Sequence, residues 1–399
     1  MKIALINLIN YTVDVPKSFR DLFGLTATKK IQCDKNTSIV ELGIALSNLG
    51  HDVIIYISDA YQPEISHKKE NLQIKYLPTK LNFLFPPAFI PFCPSLFKEL
   101  YRQNFDVIQT VDFFQSGTIM SLILSLIKKT KVVIWQDLNN YPRFPGNLIV
   151  KLYNFSLGLI FLNRIKMIIP KSDSAKRFLL ECKIYHHKIY HVIPSGVNSH
   201  QFLPLKEADL EDLNIKKANN KFVLSVARLH PQKGLEYLIP TMQEVVKEVP
   251  NVVLLIKGDG IEYERLQNII TKLSLEPFVL IIRANFDRDK LVKLYNFCEF
   301  TVLSSIYETI GFVVLESLSC EKPVIVTDIN GPREIVSGND VGYIVKPRSS
   351  KELAKAIVKL LKNDAERSRM GMNGRKLILA EYDWEIIADQ FVAAYASDF

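Results

Sequence analysis

The sequence predicts an α/β fold with two Rossmann-like, doubly wound domains. Apolar strand-like runs alternate with helical patterns along the chain, which is typical of parallel βαβ units. These runs form two successive sets of strands. The length of 399 residues, of which 48% are hydrophobic, is sufficient for two or three domains with their own cores. Two such sets therefore favour two doubly wound domains.

The predicted strands of the first set are Lys2–Ile9, Asp52–Ile57, Asp106–Val111, Lys131–Trp135, Lys166–Ile169 and Ile189–Ile193. Those of the second set are Lys221–Ala227, Asn251–Ile256, Phe278–Ile282, Phe300–Leu303, Pro323–Val326 and Gly342–Val345. Proline and glycine interrupt the pattern between the two sets. We therefore expect domains over residues 1–197 and 198–381, followed by an amphipathic closing helix over residues 382–399.

Basic residues are concentrated in the first half of the chain. Residues 1–199 hold 24 Lys and Arg against 14 Asp and Glu, whereas residues 200–399 hold 26 against 28. This asymmetry favours an anionic partner such as a lipid headgroup, a phosphorylated acceptor or nucleic acid, although charge that only keeps the protein soluble would look the same. The five scattered cysteines contain no CxxC pair, which fits a reducing cytoplasm.

The sequence predicts no membrane-spanning helix. The longest uncharged run, Leu81–Phe97, contains four prolines, and no signal-peptide cleavage site follows the first strand. Leu81–Phe97 and Asn147–Leu162 are nevertheless apolar and flanked by cations. Such segments are typical of a bilayer interface, but core helices and a buried loop have the same pattern. We expect a cytoplasmic protein, with peripheral contact at the inner face of a membrane left open.

Two cations follow the first strand of the second set. Arg228 and Lys233 lie just beyond its carboxyl end, where open α/β sheets bind ligands. Such a pair can hold a diphosphate through charge-assisted hydrogen bonds worth about 1.5–3 kcal/mol each. Solvated surface charges would give the same pattern.

A glycine and two glutamates follow the fourth strand of that set. Gly311 leaves bare backbone at the start of an apolar helix, where free N–H groups can bind an anion. Glu316 lies in the otherwise apolar run Phe312–Leu318 and is predicted to be buried. A lone buried carboxylate is costly, so either ligand hydroxyls or a protein group such as an arginine must bind it.

Two further motifs are less specific. Gly258-Asp259-Gly260 begins like a dinucleotide fingerprint, but Tyr263 occupies the place of the third glycine, which disfavours a nicotinamide dehydrogenase. Asp287-Arg288-Asp289 matches the DxD of metal-dependent sugar transferases, yet it opens a helical pattern. Because aspartate is a favoured helix cap, we interpret this motif as a cap and expect no metal.

Taken in order, these motifs resemble glycosyltransferase family 4, the retaining enzymes of the two-domain GT-B fold. Lys322–Asp328, Gly331 and Glu334 continue the match to the motifs of this family. The resemblance implies two domains facing each other across a cleft, with Tyr382–Tyr395 crossing back onto the first domain. It also implies that the first domain binds the acceptor and the second binds the nucleotide sugar.

The resemblance further implies the roles of individual residues. Arg228 and Lys233 would neutralise the departing nucleoside diphosphate, and Glu308 would contact the hydroxyls of the donor sugar. These three are the expected catalytic residues, and the expected donor-binding residues are Gly258, Thr309, Ile310, Gly311, Phe312 and Glu316. The family needs no metal or other cofactor, since the nucleotide sugar is its co-substrate, and front-face attack retains the anomeric configuration.

The first half departs from the family pattern in three places. Asp34–Ser38, after an insertion over Tyr11–Asn36, replaces the usual Gly-Gly loop. Gln136 stands where the family often has a histidine, and it is our candidate for a first-domain contact with the acceptor or donor. The linker has Ser195 and Asn198 in place of the usual Asn and Asp.

The leading hypothesis is a hexosyltransferase that uses an NDP-sugar and a lipid-linked, saccharide or other glycoconjugate acceptor, as in polysaccharide or glycolipid biosynthesis. Nucleic acid is not an expected partner. A sugar-nucleotide epimerase has the same architecture, whereas a phosphorylase would need a far longer chain. The missing Gly-Gly loop and Gln136 also fit a protein that binds a nucleotide sugar without turnover.

Overall fold

The computed structural model describes residues 1–8, 38–59, 67–81, 91–113, 115–138, 165–182, 186–210, 215, 219–284 and 286–397. The chain forms two compact units. The first unit contains Met1–Ser195 and Ile387–Phe399, and the second contains Gly196–Ile386. The end of the chain thus belongs to the first unit.

A seven-stranded sheet forms the centre of the first unit, in the order β3-β4-β2-β1-β5-β6-β7. Its strands are β1 Lys2–Asn7, β2 Asp52–Ser58, β3 His67–Lys69, β4 Leu72–Leu77, β5 Val107–Val111, β6 Lys131–Gln136 and β7 Met167–Pro170. Neighbouring strands pair in parallel, except for the antiparallel β3 and β4. The described helices before the linker are Ser38–Asn48, Ser95–Arg102, Ser116–Ile127 and Asp173–Glu181.

A parallel six-stranded sheet forms the centre of the second unit, in the order β10-β9-β8-β11-β12-β13. Its strands are β8 Lys221–Val226, β9 Val252–Lys257, β10 Val279–Ile282, β11 Phe300–Leu303, β12 Val324–Thr327 and β13 Gly342–Val345. The α-helices are Leu235–Leu238, Met242–Glu248, Tyr263–Lys272, Arg288–Phe297, Phe312–Ser319, Asn330–Val336, Ser350–Lys362 and Asp364–Leu377. The chain then passes through the π-helical segment Ile378–Tyr382 into the closing helix Trp384–Ala396.

The apolar strands of the second unit bury both of their faces. Side chains alternate along a strand, so Val223 lies in one core cluster while Phe222 and Leu224 lie in the cluster on the other side of the sheet. Helices cover both faces of a parallel sheet of this kind, which explains its continuous runs of Val, Ile and Leu.

The closing helix completes the core of the first unit. Phe391 packs edge-on against Trp135, with ring centroids 5.1 Å apart. The Tyr395 hydroxyl donates to the side chain of Gln109, and Lys131 Nζ donates to the carbonyl of Tyr395 at 3.1 Å. Phe391 and Trp135 are both fully buried, so these last residues are part of the folded unit.

The structure differs from the predicted strands at two places in the first unit. Ile189–Ile193 is not a strand, because only Ile189 forms a bridge, to Ile168 of β7. The antiparallel pair β3 and β4 is absent from the predicted set because β3 has only three residues, all polar, and β4 alternates apolar Leu72 and Ile74 with polar Gln73 and Lys75 instead of forming a continuous apolar run. Asn147–Leu162, Tyr11–Asn36 and Asp34–Lys35 lie outside the described residues, as does the middle of Leu81–Phe97. Among the helices that the structure describes, none is long and apolar enough to span a bilayer.

Candidate functional site

The candidate residues of the second unit lie beyond the carboxyl ends of its strands. Arg228 follows β8, Gly258 follows β9 and Glu308 follows β11. Strands β8 and β11 are neighbours although β9 and β10 separate them in sequence, so the strand order reverses between them. Open α/β sheets bind ligands at such a switch point.

An ion pair joins Lys233 and Glu308, which are 75 residues apart in sequence. Lys233 Nζ donates to Glu308 Oε2, and the two side chains are only 13% and 17% exposed. The Ser305 hydroxyl donates to the same carboxylate oxygen at 3.5 Å. The Ser304 hydroxyl donates to the carbonyl of Lys233 at 2.9 Å, which fixes the loop after β8 against the loop after β11.

Gly258 allows a second close approach between loops. A Cβ atom at this position would lie 1.8 Å from the carbonyl oxygen of Ala227, nearer than any real contact allows. The backbone N–H of Leu229 in turn donates to the carbonyl of Asp259 at 2.9 Å. Gly258 therefore holds the loop after β9 against the segment that carries Arg228.

The helix Phe312–Ser319 begins at Gly311, whose φ of +78° favours glycine. Within the described part of the chain no side chain caps this helix; the Val314 N–H donates to the Gly311 carbonyl at 2.8 Å, which leaves the N–H groups of Phe312 and Val313 available to an anion. Thr309 and Ile310 precede it in half-buried positions, and Phe312 is 42% exposed. The site thus combines a helix start with the nearby ion pair of Lys233.

Glu316 lies one turn further along this helix and is half-buried. The Tyr295 hydroxyl donates to its Oε2 at 2.7 Å. Burial raises the pKa of Glu316 to about 7, while the Tyr295 hydrogen bond and the charge of Arg288 act to lower it. The hydrogen-bonding partner is thus a tyrosine hydroxyl, and one such donor leaves the carboxylate with further acceptor capacity.

The DxD motif caps a helix, as predicted. Asp287 Oδ1 accepts a hydrogen bond from the backbone N–H of Lys290 at 2.8 Å, and Asp289 lies in the first turn of Arg288–Phe297. Within the part of the chain that the structure describes, no three His, Cys, Asp or Glu residues are grouped so that they could hold a metal ion.

Gln136, the candidate of the first unit, is fully buried at the end of β6. Its Oε1 accepts from the backbone N–H of Phe113 at 3.3 Å, and its Nε2 donates to the carbonyl of Leu138 at 3.2 Å. The amide therefore connects the two segments that follow β5 and β6. The charged residues beside it, Asp112, Asp137 and Lys171, were not among the predicted site residues.

A parallel sheet with cations and a glycine-led helix at its switch point is characteristic of α/β proteins that bind phosphorylated ligands. The comparisons with known families define the class further. Residues 36–201 match the Glycosyltransferase Family 4 model, and residues 207–377 match the model of Glycosyl transferases group 1. The chain belongs to this family of glycosyltransferases.

Curated relatives match over part of their length. An uncharacterised glycosyltransferase of Methanocaldococcus jannaschii is 30% identical over 209 residues, which cover 51% of this chain and 53% of the relative. The alpha-D-kanosaminyltransferase of Streptomyces kanamyceticus is 30% identical over 173 residues, which cover 43% of this chain and 45% of the enzyme. The matched stretch thus spans about half the length of these relatives.

Solved structures resemble the whole chain. The sucrose-phosphate synthase of Thermosynechococcus elongatus superposes with a TM-score of 0.75 at 21% identity, covering 99% of this chain and 98% of that one. Anabaena HepE in complex with UDP superposes with a TM-score of 0.73 at 18% identity, covering 99% of both chains. At these identities the likeness shows the fold, and it confirms the predicted GT-B class.

Proposed function

We propose that the chain is a retaining, metal-independent glycosyltransferase that moves a hexosyl group from an NDP-sugar to a saccharide, lipid-linked or other glycoconjugate acceptor. The observation that carries this proposal is the Lys233–Glu308 ion pair at the switch point of the second sheet. It holds a cation suited to a diphosphate directly beside a carboxylate suited to sugar hydroxyls. Fixed positive charge is most useful where negative charge develops as the glycosidic bond breaks.

The other residues have roles that follow from their positions. Arg228 and the N-terminus of Phe312–Ser319 supply the remaining positive potential for the phosphates. The backbone of Thr309 and Ile310 lies beside the sugar, and Glu316 accepts hydrogen bonds from the ribose. In this scheme the cations and the helix dipole supply the charge that a metal supplies elsewhere. The departing phosphate takes the proton of the acceptor hydroxyl, which attacks from the same face and retains the configuration.

Two of the similar proteins support the donor class. The name of the kanosaminyltransferase describes transfer of an amino sugar, and the Anabaena structure contains UDP. We therefore place UDP-sugars first among the donors to be tested, and polysaccharide or glycolipid biosynthesis as the setting. Ligand at a hundred times its dissociation constant adds about 2.7 kcal/mol of stability, so thermal shifts with UDP, GDP, ADP and dTDP would rank the bases.

We also propose a cytoplasmic protein that contacts the inner face of an anionic membrane. The helix Ser116–Ile127 contains no charged residue, and it leaves Leu126 and Ile127 52% and 62% exposed beside Lys128 and Lys129. An apolar face next to cations is typical of an interfacial helix. Co-sedimentation with phosphatidylglycerol vesicles but not phosphatidylcholine vesicles, lost in Leu126→Gln/Ile127→Gln, is the expected result. Equal recovery of the wild type and the double variant in the supernatant would contradict the proposed membrane contact.

Product analysis tests the proposed reaction against its alternatives. The chain is incubated in EDTA with UDP-, GDP-, ADP- and dTDP-sugars and a saccharide acceptor, and released nucleotide and sugar products are separated by chromatography. Release of a nucleoside diphosphate together with a glycosylated acceptor or free sugar supports a transferase. Tight donor binding without any release would instead identify a binding protein, and interconversion of nucleotide sugars would identify an epimerase.

A further inference from the structure

The chain passes between its two units at two points, Ser195–Gly196 and Ile386–Ile387. The second unit therefore has one segment next to each point. These segments are Gly196–Phe202, here called the first crossover, and Tyr382–Ile386, here called the second crossover. An effect that travels along the backbone from one unit to the other must pass through one of them.

The two crossovers are hydrogen-bonded to each other. The Val197 N–H donates to the carbonyl of Tyr382 at 2.8 Å, and the Trp384 N–H donates to the carbonyl of Val197 at 3.3 Å. The Ser199 N–H donates to Asp383 Oδ2 at 3.1 Å, and Asp383 is only 6% exposed. The crossovers thus form one paired element, and their bonded amides are suitable for hydrogen-exchange measurements.

One arginine joins this paired element to the helix Phe312–Ser319, at whose start the anion site lies. Arg375 Nη1 donates to the carbonyls of Ser199 and Phe202 in the first crossover, at 3.1 and 2.9 Å. The same nitrogen is 2.9 Å from both the carbonyl and the hydroxyl oxygen of Ser319, so its hydrogens are shared among four acceptors. A cation is also favourable at the carboxyl end of a helix. Arg375 therefore bridges the first crossover and the helix directly.

The side chain of Phe202 provides a second connection between the same two elements. Its ring is 2% exposed and packs edge-on against Tyr295, with ring centroids 6.0 Å apart. The Tyr295 hydroxyl donates to Glu316 in the helix. The carbonyl of Phe202 also accepts from the Ser319 hydroxyl at 2.6 Å. The first crossover thus contacts the end of the helix and reaches Glu316 through a single tyrosine.

Close helix packing keeps Arg375 in this position. Arg375 lies in the last turn of the helix Asp364–Leu377. A Cβ atom at Gly374, the preceding residue, would lie 2.6 Å from Leu318 Cδ2. The helix that carries Arg375 therefore lies directly against Phe312–Ser319, and both partners of the guanidinium stay within its reach.

We propose that Arg375 is a positioning residue that couples nucleotide binding at the helix Phe312–Ser319 to the two crossovers. This inference rests on the proposed function, which places the nucleotide against the start of that helix. A ligand slows the opening only of those segments whose opening weakens its binding, so coupled segments gain protection and independent segments do not. The donor then determines how firmly the second unit holds the chain that leads into the first.

The test is hydrogen exchange of the full chain, measured by mass spectrometry with and without UDP, or with GDP, ADP or dTDP where one of these gives the larger thermal shift. The nucleotide is present at about a hundred times the dissociation constant of each protein, so that differences in affinity do not enter. In the wild type it should slow exchange in both crossovers by about fivefold or more, the lower end of common coupling between sites. In Arg375→Met this slowing should be largely lost, although exchange in Phe312–Ser319 still slows. Arg375→Lys, which keeps a charged donor, should retain part of the effect.

Arg369→Met is the matched control, since Arg369 lies in the same helix, is 50% exposed and pairs with Asp340. It should show the slowing of the wild type. Ser319→Ala serves if Arg375→Met does not fold, because it removes one hydroxyl contact and leaves the carbonyls bonded to Arg375; its slowing should be smaller than that of the wild type. The helix Ser350–Lys362 of the same unit is the internal reference for stabilisation of the whole unit.

Equal slowing of the crossovers in Arg375→Met and Arg369→Met would overturn the proposal. So would a wild type in which the nucleotide slows exchange in Phe312–Ser319 alone, or slows Ser350–Lys362 as much as the crossovers. A wild-type chain that binds the nucleotide and shows the coupling but transfers no sugar would contradict the proposed function alone. A chain that binds no nucleoside diphosphate would contradict both.

Discussion

Lys233 and Glu308 neutralise each other in a place where water screens little of their charge. Less than a fifth of each side chain is exposed, so either charge alone would carry a desolvation penalty. The ion pair also fixes the position of the Lys233 ammonium group, because Glu308 lies on the loop that leads into the helix Phe312–Ser319. At the scale of single residues, this contact is the basis of the proposed site.

Lys233→Ala and Arg228→Ala should each lower turnover by about a hundredfold or more, because each removes charge that stabilises the departing diphosphate. Sugar recognition, measured as the dissociation constant of the donor, should change less. Lys247→Ala is the control, since Lys247 is 66% exposed and pairs with Glu244 of its own helix. Steady-state kinetics of all three variants measures these effects. Near wild-type turnover in both Lys233→Ala and Arg228→Ala would show that these residues are not catalytic.

Glu316→Gln should keep the fold and weaken nucleotide binding by about ten- to a hundredfold. A glutamine oxygen still accepts from Tyr295, but the charge-assisted bonds to the ribose, worth about 1.5–3 kcal/mol, are lost. Because the pKa of Glu316 is raised to about 7, wild-type affinity should increase as the pH rises from 6 to 8. Calorimetric titration should show this increase to be smaller in the variant. Early melting with normal nucleotide binding would make Glu316 structural.

Asp112→Asn should change how stability depends on pH. Burial, followed by the charge of Asp137, raises the pKa of Asp112 from 3.8 to about 6 against the opposing charge of Lys171. The folded state then holds a proton that the unfolded state has lost, so wild-type stability falls as the pH rises from about 4 through 6. Asparagine keeps the oxygen that accepts from Asp137 and Leu138, and the variant should gain stability relative to wild type as the pH rises from 4 to 8. Urea unfolding at pH 4, 6 and 8 measures the slope, and identical slopes would contradict the expectation.

Helix caps and strand ends determine which loops reach the site. The Asp287 side chain accepts a hydrogen bond from a backbone N–H in the first turn of Arg288–Phe297. The same helix contains Tyr295, whose hydroxyl donates to Glu316. The DxD motif therefore contributes through the position of a helix, and metal binding is not needed to explain its two carboxylates.

Asp287→Ala should cost about 1 kcal/mol of stability, because it removes the side chain that caps the helix. EDTA should not change the activity of either the wild type or this variant. Thermal unfolding and donor turnover with and without EDTA provide the two measurements. Asp289→Ala is the comparison, since Asp289 only lies in the first turn and should cost less. Activity lost in EDTA and restored by Mn²⁺ would revive the metal-dependent interpretation.

Buried parallel strands are easy to predict because both faces are apolar. Phe300–Leu303 and Gly342–Val345 have the predicted bounds. The β3–β4 pair was missed because β3 is a three-residue polar strand and β4 alternates apolar and polar residues, so neither is an apolar run. Site residues that directly follow a strand could likewise be found from the sequence.

Contacts between distant segments could not be read from the sequence. Tyr295 lies in a helical pattern in which an aromatic residue indicates core packing. Nothing in the sequence therefore predicted the hydrogen bond from its hydroxyl to Glu316. Asp112 and Lys171 follow strands as well, but only the strand order brings them to Asp137. Patterns define elements, whereas the order of strands in a sheet decides which of their ends meet.

At the scale of the whole molecule, the closing helix should stabilise the first unit selectively. Phe391→Ala should destabilise that unit by about 3–5 kcal/mol, because a fully buried aromatic ring is removed from Trp135. Hydrogen exchange measured by mass spectrometry should increase in β5 and β6 and stay unchanged in β8 and β11. Leu379→Ala, which changes a 48% exposed side chain, is the control. Equal increases in both sheets would contradict the expectation.

The division of the first unit between the two ends of the chain has a consequence for biosynthesis. Domains generally fold as they leave the ribosome, the N-terminal one first. Here the residues around Trp135 emerge long before Phe391 is translated, so their apolar surface stays uncovered while the whole second unit is made. The second unit, continuous from Gly196 to Ile386, has no such delay and can be complete before the first. A released chain that ends at Ile386 should therefore hold a finished second unit and a first unit still dependent on chaperones.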